Sequence, residues 1–169
     1  TADKLPVGVS WADRCDDPLF VSRSVRVTGD VWTFVYKAAA EIGELGDNTR
    51  AIRREVLADD VLRHVLAQPG ARVTIIGHTR WASVGIISEP NAHPVTGEEV
   101  DRPSPLVLAV LNGDVDNYAD LKVEHGLSVA EPITTDAKVI PSLVARQLET
   151  GTDLSDAFVN TVAQFEGSV

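Results

Sequence analysis

Residues 77–85, Gly77-His78-Thr79-Arg80-Trp81-Ala82-Ser83-Val84-Gly85, gather an arginine, an indole and a hydroxyl into one loop between glycines. That set suits a carboxylate. A guanidinium grips it with two parallel hydrogen bonds, Ser83 donates a third, and Trp81 keeps water out. A buried Arg–Asp pair beside a core tryptophan has the same composition, so this stretch alone leaves both readings open. Two further groups qualify. Asn112-Gly113 directly follows an apolar run; it is either an ordinary tight turn or an oxyanion hole, in which the Asn side-chain N–H and the Gly backbone N–H meet charge developing on oxygen. Asp136 opens a helical pattern, where it either stabilises the helix N-terminus or receives a ligand's ammonium group.

These groups need elements to carry them. The β-branched run at 73–76 predicts a buried strand that delivers the Arg80 loop. The continuous apolar run at 106–111 predicts a central strand ending at Asn112. A helix is expected from 134–136 to Leu148, with Pro141 kinking or shortening its first turns. Upstream, 19–28 and 31–38 are β-rich and joined by Gly29-Asp30, which predicts a hairpin. Residues 49–68 place Ile52, Val56, Val61, Leu62, Val65 and Leu66 at helical spacing, with Asn48 or Thr49 as cap and Pro69-Gly70 as stop. Pro90, Pro94, Pro103 and Pro105 make 88–105 an irregular surface connection. A short helix at 117–125, a brief strand at 127–133 and a last helix at 153–165 follow, and Ser168-Val169 begins what reads as another strand. Residues 1–18 read as irregular, interrupted by Pro6, Gly8 and Pro18. No repeat, low-complexity tract or linker breaks the pattern, so one domain of layered α/β or α+β type is expected.

The 169 residues are enough for one real core, and 44% hydrophobic with 24% charged residues is globular composition. A formal net charge of −10 repels phosphate backbones and anionic lipid, and the basic residues form no patch, so neither nucleic acid nor membrane is an expected partner. Arg50, Arg53, Arg54 and Arg63 lie among Glu55, Asp59 and Asp60 as a solvated helix face. A single cysteine, Cys15, excludes an internal disulfide and fits a cytoplasmic protein. Its neighbours Asp13, Asp16 and Asp17 work against thiolate formation, which makes it an unreactive loop cysteine. His64, His78, His93 and His125 show no helical zinc spacing, and no phosphate-binding glycine loop or serine-hydrolase elbow is present, so no metal or cofactor is expected.

Taken in order, Gly77-His78-Thr79-Arg80-Trp81-Ala82, Asn91-Ala92-His93-Pro94, residues 111–117 around Asn112-Gly113, and Thr135-Asp136-Ala137-Lys138-Val139-Ile140 resemble the glutaminase domain of class II glutamine amidotransferases. The Thr-Arg-Trp-Ala spelling is most similar to the branch that forms glucosamine 6-phosphate. The resemblance runs from 19 to 169 and implies an α+β fold, a four-layer αββα sandwich of the N-terminal-nucleophile hydrolase type. It implies L-glutamine as ligand, with its carboxylate on Arg80 and Ser83 and its ammonium on Asp136. Asn112 and Gly113 would form the oxyanion hole and Trp81 would cover the site. It also implies a synthase or sugar-isomerase domain that receives the ammonia; homo-oligomerisation stays open.

The departures are equally specific. The family opens on an N-terminal Cys-Gly whose thiol attacks the amide and whose α-amine is the base. Thr1-Ala2-Asp3-Lys4 offers no such start, Ser83 replaces a threonine, Val84 a histidine, and Leu111 a histidine. The sequence therefore reads as truncated at both ends, and the chain alone is expected to lack glutaminase activity. The alternative is a degenerate, non-catalytic amino-acid-binding or assembly domain of the same fold.

Overall fold

A computed structural model describes residues 11–39, 46–79 and 84–169. Two compact units divide the chain, Thr1–Ile75 and Ile76–Val169. Among the described residues helix exceeds strand, 36% against 11%, which is compatible with α+β, and the ladders are short. No helix among the described residues is long and apolar enough to cross a membrane.

In the first unit a short helix α1 (Ala12–Asp16) precedes the expected hairpin, β1 (Val25–Thr28) and β2 (Val31–Phe34). The strands pair antiparallel with Val25 opposite Phe34 and Thr28 opposite Val31, and Gly29 takes the left-handed conformation the tight turn requires, φ +59°. The strands are shorter than the β-rich sequence suggests. Residues 19–23 turn instead, with Val21 N–H donating to the Pro18 carbonyl, although Arg23 and Val35 extend the pairing by one bond. Trp32 lies between Trp11 and Phe34, with ring centroids 5.3 and 6.2 Å away.

The single helix expected at 49–68 is two, α2 (Asp47–Ala58) and α3 (Asp60–Leu66), broken at Asp59. An aspartate competes with helical backbone by accepting N–H groups itself. Here Asp59 Oδ1 caps α3 through Leu62 N–H at 3.0 Å, and Tyr36 and a two-pronged Arg14 hold the carboxylate. The predicted buried strand at 73–76 does not form. Val73, Ile75 and Ile76 are 59%, 84% and 46% exposed, because no ladder pairs with the run; apolar character specifies burial only where a partner strand exists.

The second unit is built on α5 (Val139–Glu149), entered through a 3₁₀ turn at Asp136–Lys138. Pro141 is the third residue of α5, where a missing N–H is tolerated, so it neither kinks nor interrupts the helix. Val139, Ile140 and Leu143 meet Val115 and Leu121 in the core, with Leu111, Tyr118 and Phe165 packed against them. The helix α6 (Leu154–Val162) is capped by Asp153 and tied to α5 by Gln147, whose amide donates to Ala157 O and Thr161 Oγ1. The short helix α4 (Tyr118–Glu124) is where the sequence places it.

Two ladders complete this unit. The strand β3 (Val95–Thr96) pairs antiparallel with β4 (Leu108–Ala109), and β5 (Asp114–Val115) with β6 (Gly167–Ser168). The run at 106–111 is thus not a full central strand: two residues pair, and Val107 O and Leu111 N–H add a bond on either side. Its side chains are half-buried except for the exposed Val110, and an apolar cavity of about 460 Å³ is lined by the run together with α5 and α6. The strand expected at 127–133 does not form; Val100 N–H donates to Ser128 O without a ladder around it. The strand beginning at Ser168 is present.

Candidate active site

Arg80, Trp81 and Ser83 lie outside the described residues. The flanks of their loop are described. Gly85 has φ +86°, and a Cβ there would sit 3.0 Å from Thr134 Oγ1 and 3.2 Å from Thr135 N. The loop's end is therefore laid directly on the residues that precede Asp136, a close approach that only glycine permits.

Asp136 is 2% exposed. Its Oδ2 accepts the backbone N–H of Val115 at 2.9 Å, and Oδ1 accepts the Thr135 hydroxyl at 3.3 Å. A carboxylate accepts about four hydrogen bonds, so these two donors leave lone pairs for an ammonium group. The bond to Val115 brings Asp136 against the segment that starts with Asn112. Asn112 itself is exposed and lines the apolar cavity.

Gly113 is required on steric grounds that its expected role did not include. A Cβ at 113 would stand 1.8 Å from the carbonyl oxygen of Ser168. The same close pairing constrains Gly167, with φ +122° and a would-be Cβ 2.4 Å from Asp114 O. The chain between Asn112 and Val115 is thus pinned on one side by β6 and on the other by Asp136.

Three buried polar residues with no role assigned from sequence surround these groups. Asn91 is 3% exposed, and its Oδ1 accepts both Thr134 N–H (2.7 Å) and Thr135 N–H (3.0 Å). Its Nδ2 reaches Ile86 O, Ser88 Oγ and Thr134 Oγ1. His93, 7% exposed, accepts Leu111 N–H on Nδ1 at 3.2 Å and packs against the His78 ring at 4.8 Å. Lys138 is 1% exposed and donates to the carbonyls of Thr96 and Glu98. Burial pushes its ammonium down to about 8, although Glu98 and Glu99 pull the other way. The motif Asn91-Ala92-His93-Pro94 was visible, but its proline-rich surroundings hide the fact that its polar side chains point inward.

Cys15 is half-buried in the first unit, and burial, opposed by Arg26 and reinforced by Asp16, pushes its thiol up. That is the direction expected of an unreactive cysteine. Among the described residues no three His, Cys, Asp or Glu side chains group as metal ligands would.

The Asn91, Asn112 and Asp136 segments thus converge in the second unit. No protein-family model matches the chain. Individual proteins do. The chain is 36% identical over 131 residues, 75% of its length, to glutamine–fructose-6-phosphate aminotransferase [isomerizing] of Leifsonia xyli subsp. xyli. It is 35% identical over 121 residues to the protein of that name from Chlamydia abortus, and 36% over 107 residues to that of Bacillus anthracis. It is therefore related to the isomerizing glutamine–fructose-6-phosphate aminotransferases along most of its length. It spans only 17–19% of the length of these relatives.

Proposed function

We propose that residues 19–169 are the glutamine-binding part of a glutamine-dependent amidotransferase that supplies ammonia for amino-sugar synthesis. The observation that carries this reading is the Asp136–Val115 hydrogen bond, which sets an ammonium-binding carboxylate beside the Asn112-Gly113 segment. In this reading Arg80 and Ser83 hold the glutamine carboxylate, and Asp136 holds its ammonium. Asn112 Nδ2–H and Gly113 N–H stabilise the oxyanion formed when the amide is attacked. Trp81 covers the site. A zwitterion held at both charges cannot rotate, which fixes the side-chain amide against the oxyanion donors.

The fold that goes with this function is the four-layer αββα sandwich, of which β3–β4, β5–β6 and the α5–α6 pair would be parts. None of these residues attacks the amide; they bind and orient it, and burial holds the Cys15 thiol up, against thiolate formation. The ammonia released from the bound glutamine passes to a sugar-isomerase region. The relatives' names supply fructose 6-phosphate as the acceptor.

Calorimetric titration with L-glutamine, against D-glutamine, tests the reading. Stereoselective binding that disappears in Arg80→Ala and in Asp136→Ala is expected. Equal response to both enantiomers, or none, would overturn it in favour of a non-catalytic assembly domain.

A further inference from the structure

Asn91 and His93 are separated by one residue, yet their side chains reach two different parts of the proposed site. Asn91 Oδ1 takes the N–H groups of Thr134 and Thr135, the two residues before Asp136. His93 Nδ1 takes the N–H of Leu111, the residue before Asn112. The third side of this triangle is the bond from Val115 N–H to Asp136. Asn91, His93, Val115 and Asp136, which take part in these bonds, are each less than 9% exposed. The Asn91–Thr135 and Asp136–Val115 bonds are buried and the other two part-buried, and a buried bond holds geometry firmly, because breaking it leaves a donor with no water to turn to.

The amide of Asn91 does more than accept. Its donors meet Ile86 O at 3.2 Å and Ser88 Oγ at 3.0 Å, just past the loop that carries Arg80, Trp81 and Ser83. Gly85 packs on Thr134 and Thr135 at the same place. One side chain therefore ties the exit of the carboxylate-binding loop to the entrance of the Asp136 turn.

We infer that Asn91 and His93 are positioning residues: they hold the Arg80 loop exit, the Asp136 turn and the Asn112-Gly113 segment in one fixed arrangement. Neither touches the ligand. Their effect on glutamine rests on the function proposed above, whereas their coupling of the segments does not.

The test is amide hydrogen exchange by NMR on the chain, with L-glutamine titration beside it. Asn91→Ala is expected to lower protection at Thr134 and Thr135, which it bonds, and also about tenfold at Val115, which it does not touch. His93→Phe is expected to do the same at Leu111 and Val115. Amides of Leu143 and Val144 inside α5 should stay within threefold of the wild type. L-glutamine affinity should fall at least tenfold in each variant. Asn91→Asp, which keeps the acceptor for Thr134 and Thr135, should return Val115 protection to within threefold of the wild type and guards against a misfolded alanine variant. Unchanged Val115 protection in both Asn91→Ala and His93→Phe would overturn the inference, and so would uniform loss across α5, which marks a general stability role. If the wild type itself fails to bind L-glutamine, the functional reading falls, and the Val115 result still decides the coupling.

Discussion

Asp136 Oδ2 accepts the backbone N–H of Val115 at 2.9 Å, with both groups buried. The bond joins a helix-entry turn to the segment after Asn112-Gly113, and it gives Asp136 a structural duty distinct from any ligand. The two duties separate by substitution. Asp136→Asn keeps an acceptor for Val115 and should cost under about 1 kcal/mol of stability. Asp136→Ala strands the Val115 donor and should cost about 1–3 kcal/mol. Both remove the negative charge, so both should lose L-glutamine binding. Denaturant unfolding and calorimetry on the same two variants check the split.

Gly113→Ala places a methyl where Ser168 O already stands, 1.8 Å away. Backbone must move, and the expected cost is about 1–3 kcal/mol, with exchange at Asp116 N–H, which donates to Glu166 O, rising as β5 and β6 separate. Gly77→Ala is the control. Among the described residues nothing lies within 4 Å of its would-be Cβ, so thermal unfolding should be unchanged to within about 0.5 kcal/mol.

Local chemistry explains which elements were legible in the sequence. Gly29-Asp30 between β-branched runs specifies its own hairpin, and Asp153 ahead of an apolar-periodic stretch specifies its own helix start. The break at Asp59 was hidden because its partners, Arg14 and Tyr36, are 45 and 23 residues away. The runs at 73–76 and 106–111 misled for a related reason: a ladder needs a neighbour, and an apolar run does not name one. At the site, Asp136 and Asn112-Gly113 were readable as chemistry. Asn91 and His93 were readable as letters of a motif but not as braces, since hydrogen bonds across 43 and 18 residues leave no periodic trace.

Glu99 and Arg146 form a two-pronged pair, both bonds 2.7 Å, with the glutamate also accepting Ser128 N–H at 2.8 Å. Burial acts to raise the Glu99 carboxyl, but the Arg146 bonds, the Ser128 N–H and nearby Arg102 outweigh it and hold the group below its ordinary value. A depressed folded-state pKa means that the stabilisation is complete above the unfolded value, about 4.3, and is lost as pH falls through the lower folded value. Glu99→Ala should cost about 1–3 kcal/mol at neutral pH, since it removes the acceptor of Ser128 N–H and of two guanidinium N–H groups of Arg146, which keeps its bonds to His125 O and Gly126 O. In Glu99→Gln, which does not titrate, the deficit against the wild type should shrink below about pH 4. A deficit that is flat from pH 7 to pH 2.5 would show that the pair contributes no charge-dependent stability.

Lys138 runs in the opposite direction along the pH scale. Its ammonium donates to Thr96 O and Glu98 O inside the protein, and burial lowers its pKa to about 8 from an unfolded value of about 10.4. Below pH 8 the side chain is charged in both states, and the folded protein carries the full penalty of burying that charge. Above about 10.4 it is neutral in both, and the penalty is gone. Folding stability should therefore rise between pH 8 and 10 by an amount that approaches roughly 3 kcal/mol if the other groups titrating there are matched. Lys138→Met removes the charge and the titration together. It should flatten this rise while leaving Thr96 O and Glu98 O without a donor, so it stabilises less than the loss of charge alone implies. Urea unfolding of both proteins at pH 7, 8, 9 and 10 makes the comparison. Parallel curves for the two proteins would show that Lys138 reaches water in the folded state.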